Sequence, residues 1–270
     1  MGYKINRLNK DIIQILDEYF DCIYIIKGES KSLIIDLGMS DARLKPVIEY
    51  LVDTPYEIIC THGHYDHVGR SGEFDYIYMS LLDKDVYLDN YKLIDTNNTK
   101  LSFINYSSIK EILNKYNLGD RNIQVIPCFG HTPGSIIVLD EKNKMIFTGD
   151  AIGSGCGVWM QVDYALSIEN YLKCLKECYD ILMKYHIDES WTFLGGHAFQ
   201  EYQSQVSSFN KFDINLLKDM ITLCDKLIHH EIDYKDIITT EFSTGKPYYA
   251  SYNKAEIIFT LSQLKSLSSR

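Results

Sequence analysis

Short apolar runs, separated by polar turns, dominate the first half of the chain. Asp11–Leu16, Cys22–Lys27 and Lys31–Asp36 read as strands, with Gly28-Glu29-Ser30 as a hairpin turn between the last two. Asp41–Val52 reads as a helix with Ser40 as its N-cap and Pro46 as a blemish within it. Tyr56–Thr61 and Tyr76–Ser80 follow as strands, then a polar, helix-prone region from Leu81 to about Asn117. Strand patterns return at Ile123–Cys128, Ser135–Asp140 and Met145–Thr148, the last two joined by the hairpin Glu141-Lys142-Asn143-Lys144. Ser167–Tyr185 carries Ile168, Tyr171, Leu172, Leu175, Cys178, Ile181 and Leu182 at helical spacing. Trp191–Leu194 is a short strand, and a helix from about Asn215 to His230 precedes a mixed tail. Frequent hairpins argue for antiparallel or mixed sheets covered by helices, not a doubly wound parallel sheet.

Composition narrows the class. The chain has 270 residues, 46% of them hydrophobic, ample for a large core. Its formal net charge of -10 argues against nucleic acid, whose phosphates call for basic surfaces. The seven cysteines are odd in number and form no CxxC, which reads as reduced thiols. No apolar stretch follows Met1–Arg7 or approaches membrane-spanning length. A cytoplasmic protein with no membrane association is expected.

Chemistry concentrates in Thr61-His62-Gly63-His64-Tyr65-Asp66-His67-Val68-Gly69, where three of eight histidines and one aspartate follow a strand. Imidazole and carboxylate are ligands of zinc and iron. On an extended segment His62 and His64 project to one side, whereas adjacent Asp66 and His67 must diverge. Further candidates sit just past later strands, beside glycine: His131 in Gly130-His131-Thr132-Pro133-Gly134, Asp150 in Thr148-Gly149-Asp150, and His197 after Gly195-Gly196. Any one of these could be a packing residue or a turn cap; five histidines in one repeated context are hard to explain as packing. His186, His229 and His230 lie outside the pattern.

Together with Asp36 in Ile34-Ile35-Asp36-Leu37-Gly38, these motifs, in this order over roughly residues 20–200, resemble the metallo-β-lactamase-fold superfamily. The resemblance implies an α+β fold, a four-layer αββα sandwich of two mixed β-sheets flanked by helices. It implies one domain over residues 1–270, with the core at about 20–200 and a helical or mixed extension at about 201–270. It also implies two divalent metal ions, zinc in the first instance and iron or manganese as alternatives. His62, His64 and His131 would bind the first and Asp66, His67 and His197 the second, with Asp150 bridging. Asp36 would support the histidine loop through hydrogen bonds, or serve only as a turn residue.

Two ions roughly 3.5–4 Å apart would activate a bridging hydroxide, oriented by Asp66, to attack an ester, thioester, lactone, amide or phosphoester. Two divalent ions against two carboxylates and a hydroxide leave an excess of about one positive charge, favouring a small anionic substrate. Tyr65, Trp159 and Met160 are candidate substrate contacts, the last two in a glycine-containing stretch, Ile152–Met160, after Asp150. Asp150 stands where the best-known zinc β-lactamases would carry cysteine, and His64 where flavodiiron proteins usually carry glutamate. The pattern is compatible with glyoxalase II-like thioesterases and lactonases. A mononuclear iron oxygenase of the persulfide dioxygenase type and a non-catalytic binding member of the fold are the alternatives. The segments 81–117 and beyond His197 are expected to cover the cleft.

Overall fold

The structure is a computed structural model describing residues 2–94, 100–153, 157–198, 212–238 and 242–264. A seven-stranded sheet runs in chain order: β1 (Lys4–Arg7), β2 (Ile12–Leu16), β3 (Cys22–Ile26), β4 (Ser32–Ile35), β5 (Tyr56–Ile59), β6 (Ile77–Met79) and β7 (Ile109–Glu111). Its first four strands pair antiparallel and the rest parallel, so the sheet is mixed. The second sheet contains β8 (Lys115–Asn117), β9 (Asn122–Pro127), β10 (Ile136–Asp140), β11 (Met145–Gly149) and β13 (Thr192–Gly195), in the order β13-β11-β10-β9-β8. It too is mixed, because β13 lies parallel to β11.

Alternation along the strands builds the layers. Ile12, Tyr24, Ile26, Leu33, Ile35 and Ile59 of the first sheet meet Ile123, Val125, Ile136, Val138 and Phe147 of the second. The intervening residues Ile13, Ile15, Ile23, Ile25, Ile34 and Ile58 face outward under helix α1 (Lys45–Leu51). On the far side, Ile126, Ile137, Leu139, Ile146 and Phe193 pack beneath the long helices α5 (Ile168–Lys184) and α6 (Ile214–Ile228). Burial on both faces is why the strands read as continuous apolar runs. The four layers agree with the αββα expectation.

Several local expectations change. Helix α1 begins at Lys45, not Asp41, and Ser40 is not its N-cap. Pro46 falls in the first turn, where its missing N–H costs nothing. The Glu73 carboxylate caps this helix from a distance, accepting from Leu44 N and Lys45 N at 3.0 Å each. Ser40 instead closes a turn, accepting from Ala42 N and donating to Glu18. Among its described residues the Leu81–Asn117 region is helical only in short pieces, a 3-10 turn (Leu81–Asp83), the helices α3 (Lys84–Asp89) and α4 (Tyr91–Ile94), and a second 3-10 turn (Tyr106–Ser108); it ends in β7 and β8. β1 was not anticipated.

The mixed tail forms a third, four-stranded sheet of β12 (Val158–Trp159), β16 (Ala255–Thr260), β15 (Pro247–Tyr252) and β14 (Lys235–Asp236), in that order. Val158, Met160, Ala250, Ile257 and Phe259 join the core that α5 and α6 share with the second sheet. No helix among the described residues is long and apolar enough to cross a membrane.

Candidate metal centre

The candidate residues gather at one end of the sandwich, where β4, β5, β9, β11 and β13 finish. His62 and His64 follow β5, and the chain then turns into the one-turn helix α2 (Tyr65–Val68), carrying Asp66 and His67. His131 lies between β9 and β10, Asp150 directly after β11, and His197 two residues past β13. Gly196 makes this convergence possible. A Cβ there would lie 2.5 Å from Asp150 Oδ1 and 2.6 Å from His67 Cε1, closer than side chains tolerate.

The residues form two groups, each with donor atoms within 4.8 Å of one another: His62, His64 and His131, and Asp66, His67, Asp150 and His197. In the first, His64 Nδ1 lies 3.1 Å from His62 Nε2 and 2.9 Å from His131 Nε2. Four-coordinate zinc with Zn–N near 2.0–2.1 Å would set its nitrogens about 3.3 Å apart, close to this spacing. Asp150 stands between the groups, its Oδ2 3.8 Å from His131 Nε2 and 3.1 Å from His197 Nε2, its Oδ1 3.7 Å from His67 Nε2.

Four of the five rings are oriented by a partner on the other nitrogen. His67 Nδ1 donates to Asp36 Oδ2 at 2.8 Å, His197 Nδ1 to Asp21 Oδ1 at 3.0 Å, and His131 Nδ1 to the Trp159 carbonyl at 2.8 Å. His62 Nδ1 lies 3.2 Å from Thr61 Oγ1, which itself donates to Asp36 Oδ2 at 2.8 Å. With those protons committed, the lone pairs of His62 and His131 Nε2 face the shared space, as a cation requires. In the second group Asp66 Oδ1, His67 Nε2 and Asp150 Oδ1 are buried with no hydrogen-bond partner among the described residues. Stranding three polar atoms together is costly unless something binds them. The donor set therefore fits divalent cations.

Asp36 adopts a left-handed backbone (φ 62°), unusual for a residue other than glycine. Three hydrogen bonds hold it there: Thr61 N to Oδ1 at 2.6 Å, and Thr61 Oγ1 and His67 Nδ1 to Oδ2.

Electrostatics separates the groups. Burial holds the His62 and His64 rings well below the usual histidine range, reinforced by neighbouring histidines, and also lowers His131. Burial opposes charge on His67 and His197 as well, but their carboxylate neighbours outweigh it and raise both well above the usual range. Asp150 is held well below the carboxylate range because His197 and His67 overcome its burial. Burial pushes Asp21 up to about 8 against its bond from His197.

Two supporting carboxylates escaped the sequence reading. Asp21 sits in the β2–β3 turn, beside a bridge to the His197 segment, and carries no motif. Asp83 is fully buried in the region read only as helix-prone. Among the expected substrate contacts, Trp159 reaches the site through its carbonyl. Met160 is fully buried in the apolar core, so its side chain offers no surface to a substrate. Tyr65 is half-buried, its ring 6.4 Å from that of Phe242. Cys156 lies outside the described residues, as does the segment 199–211 beyond His197. The other six cysteines are buried, and none forms a disulfide among the described residues.

A hydroxyacylglutathione hydrolase of Pelagibacter ubique is 25% identical, over 82% of this chain and 84% of its own. The human acyl-coenzyme A thioesterase MBLAC2 is 23% identical, over 49% of this chain and 58% of its own. Among solved structures, the metallo-beta-lactamase FIM-1 of Pseudomonas aeruginosa, in its mono-zinc form, superposes with a TM-score of 0.58. That match has 13% identity, covers 84% of this chain and 96% of the other, and speaks to the fold alone. The family model described as the metallo-beta-lactamase superfamily matches residues 22–182, spanning both histidine motifs and Asp150, and the chain belongs to that superfamily.

Proposed function

We propose that this protein is a metal-dependent hydrolase that holds two divalent cations, zinc foremost, and cleaves the thioester of a small anionic thiol carrier. The observation that supports it best is the pair of ligand groups with Asp150 standing between them, and four of the five histidines held by a partner on the other nitrogen. His62, His64 and His131 would hold one ion, Asp66, His67 and His197 the other, and Asp150 would bridge them. When bound, the ions supply a water of lowered pKa and polarise the scissile carbonyl oxygen.

The chain's own residues do the rest. Asp66 and Asp150, acceptor-only as carboxylates, orient the attacking water by taking its hydrogen bond. Asp36 and Asp21 fix the tautomers of His67 and His197. A thiolate leaving group, from a thiol with pKa near 8.5, departs without a general acid. The relatives named for hydroxyacylglutathione and acyl-coenzyme A favour this bond over the ester, lactone and phosphoester also open to such a centre. Both names describe acyl groups on anionic thiol carriers, consistent with the expected excess of positive charge.

The test is metal quantification, followed on the same sample by a panel of acyl-glutathione, acyl-coenzyme A, lactone, phosphodiester and β-lactam substrates. Two zinc per chain and release of free thiol are expected. One iron per chain with oxygen uptake would overturn the hydrolase in favour of an oxygenase. Cleavage of a lactone or phosphodiester, with thioesters untouched, would overturn the substrate class.

A further inference from the structure

Asp83 closes the 3-10 turn after β6, far from any ligand motif, and has no exposed surface. Its hydrogen-bond donors come from two other parts of the chain. Oδ2 accepts from Gly63 N at 2.8 Å and from Thr132 Oγ1 at 2.7 Å; Oδ1 accepts from Gly134 N at 2.5 Å. Gly63 is the residue between His62 and His64, and Thr132 directly follows His131. One carboxylate thus joins the two loops that bring the three nitrogens of the first group together.

The fit is close. A Cβ on Gly134 would lie 2.7 Å from Asp83 Cγ, and one on Gly63 3.1 Å from Asp83 Cβ. The other side of the Gly63 peptide is held as well, since Asn90 Nδ2 donates to Gly63 O at 2.8 Å. The three donors to Asp83 are neutral, so its charge is not balanced by a contacting cation, an expensive arrangement in an interior. Burial pushes its carboxyl up to about 6 despite those donors. A cation held by the adjacent histidines would favour the charge.

We infer that Asp83 is the positioning residue of the first metal group, setting the spacing of His62 and His64 against His131 across two loops. This rests on the metal-centre reading above. Asparagine at this position would present an N–H where one of the donors needs an acceptor, so D83N breaks the clasp while nearly preserving its volume.

The experiment titrates metal-free protein with cobalt(II), following binding and the visible absorption of the bound ion, with circular dichroism reporting the fold. Wild type should bind two equivalents. D83N should lose about 10–100-fold in affinity for one of them, as supporting residues of metal sites do, with an altered spectrum for that equivalent alone. T132V, which removes one of the three hydrogen bonds to Asp83 together with the contact of the same hydroxyl with Ser135 Oγ at 2.8 Å, should show the same selectivity with a smaller loss, and decides the matter if D83N does not fold. A folded D83N, or in its place a T132V, that binds both equivalents with wild-type affinity and spectrum overturns the proposal, even if it melts earlier. Wild type that binds no cobalt overturns the metal reading and this inference together.

Discussion

His67 Nδ1 lies 2.8 Å from Asp36 Oδ2, and both groups are almost wholly buried. The bond leaves Nε2 as the only ring atom able to reach a cation. D36N would replace one acceptor oxygen with a donor while Thr61 still offers its N–H and hydroxyl. Zinc affinity of the second group should fall about 10–100-fold. Calorimetric titration of metal-free protein measures this, and an unchanged isotherm would show that Asp36 is a turn residue only.

Asp150 faces both groups, so removing its carboxylate should affect both at once. D150A is expected to fold, because its oxygens anchor no strand, and to lose thioester hydrolysis by at least about 10³-fold even at saturating zinc. Free-thiol release checks the rate. Wild-type turnover in a folded D150A would refute the bridging role.

Metal uptake should be linked to protons unequally. His62, His64 and His131 are lowered, hence neutral near pH 7, and give up no proton to a cation. His67 and His197 are raised well above the ordinary range, so the metal-free protein carries protons there that a cation must displace. Affinity of the second group therefore falls with falling pH, by up to about tenfold per unit for each proton displaced, while the first group holds until lower pH. Titrations in buffers of different ionisation enthalpy should show proton release with one equivalent only. Equal release with both would contradict the assignment.

The third sheet bears on the first group. Trp159 pairs with Ile258, Met160 N donates to Ile258 O at 2.7 Å, and the Trp159 carbonyl accepts from His131. Ile257, fully buried beneath that pairing, should cost about 2–5 kcal/mol of stability when truncated to alanine. Because β12 loses its backing, zinc affinity of the first group should drop too. A destabilised I257A with intact zinc affinity would uncouple the sheet from the site.

The candidate ligands were legible in the sequence, and most of the groups that support them were hidden. Five of the eight histidines and two aspartates cluster just past apolar strands, so seven positions stood out from one chain. Asp36 was visible because it shared a motif. Asp21 and Asp83 were not: each is one aspartate in an ordinary turn, and its importance comes from which distant loop lies against it. Trp159 drew attention as an aromatic side chain, yet its contact with His131 is a backbone carbonyl that any residue would supply. Met160 lies just past β12, and its position after Asp150 does not reveal that its side chain is buried in the core. The tail looked mixed because β16 pairs with β12, nearly a hundred residues earlier, and local pattern cannot register such a partner.

That pairing also bears on how the protein is made. His62, His64 and His131 emerge from the ribosome well before residue 258, but the carbonyl that orients His131 sits on a two-residue strand whose sheet partner is translated more than a hundred residues after His131 itself. Such long-range pairings form late, after local structure. The nascent chain would pass through a stage in which the three histidines are present and their final geometry is not. High-affinity metal capture would then belong to the finished polypeptide, and a cation bound earlier would meet a looser and less selective set of ligands.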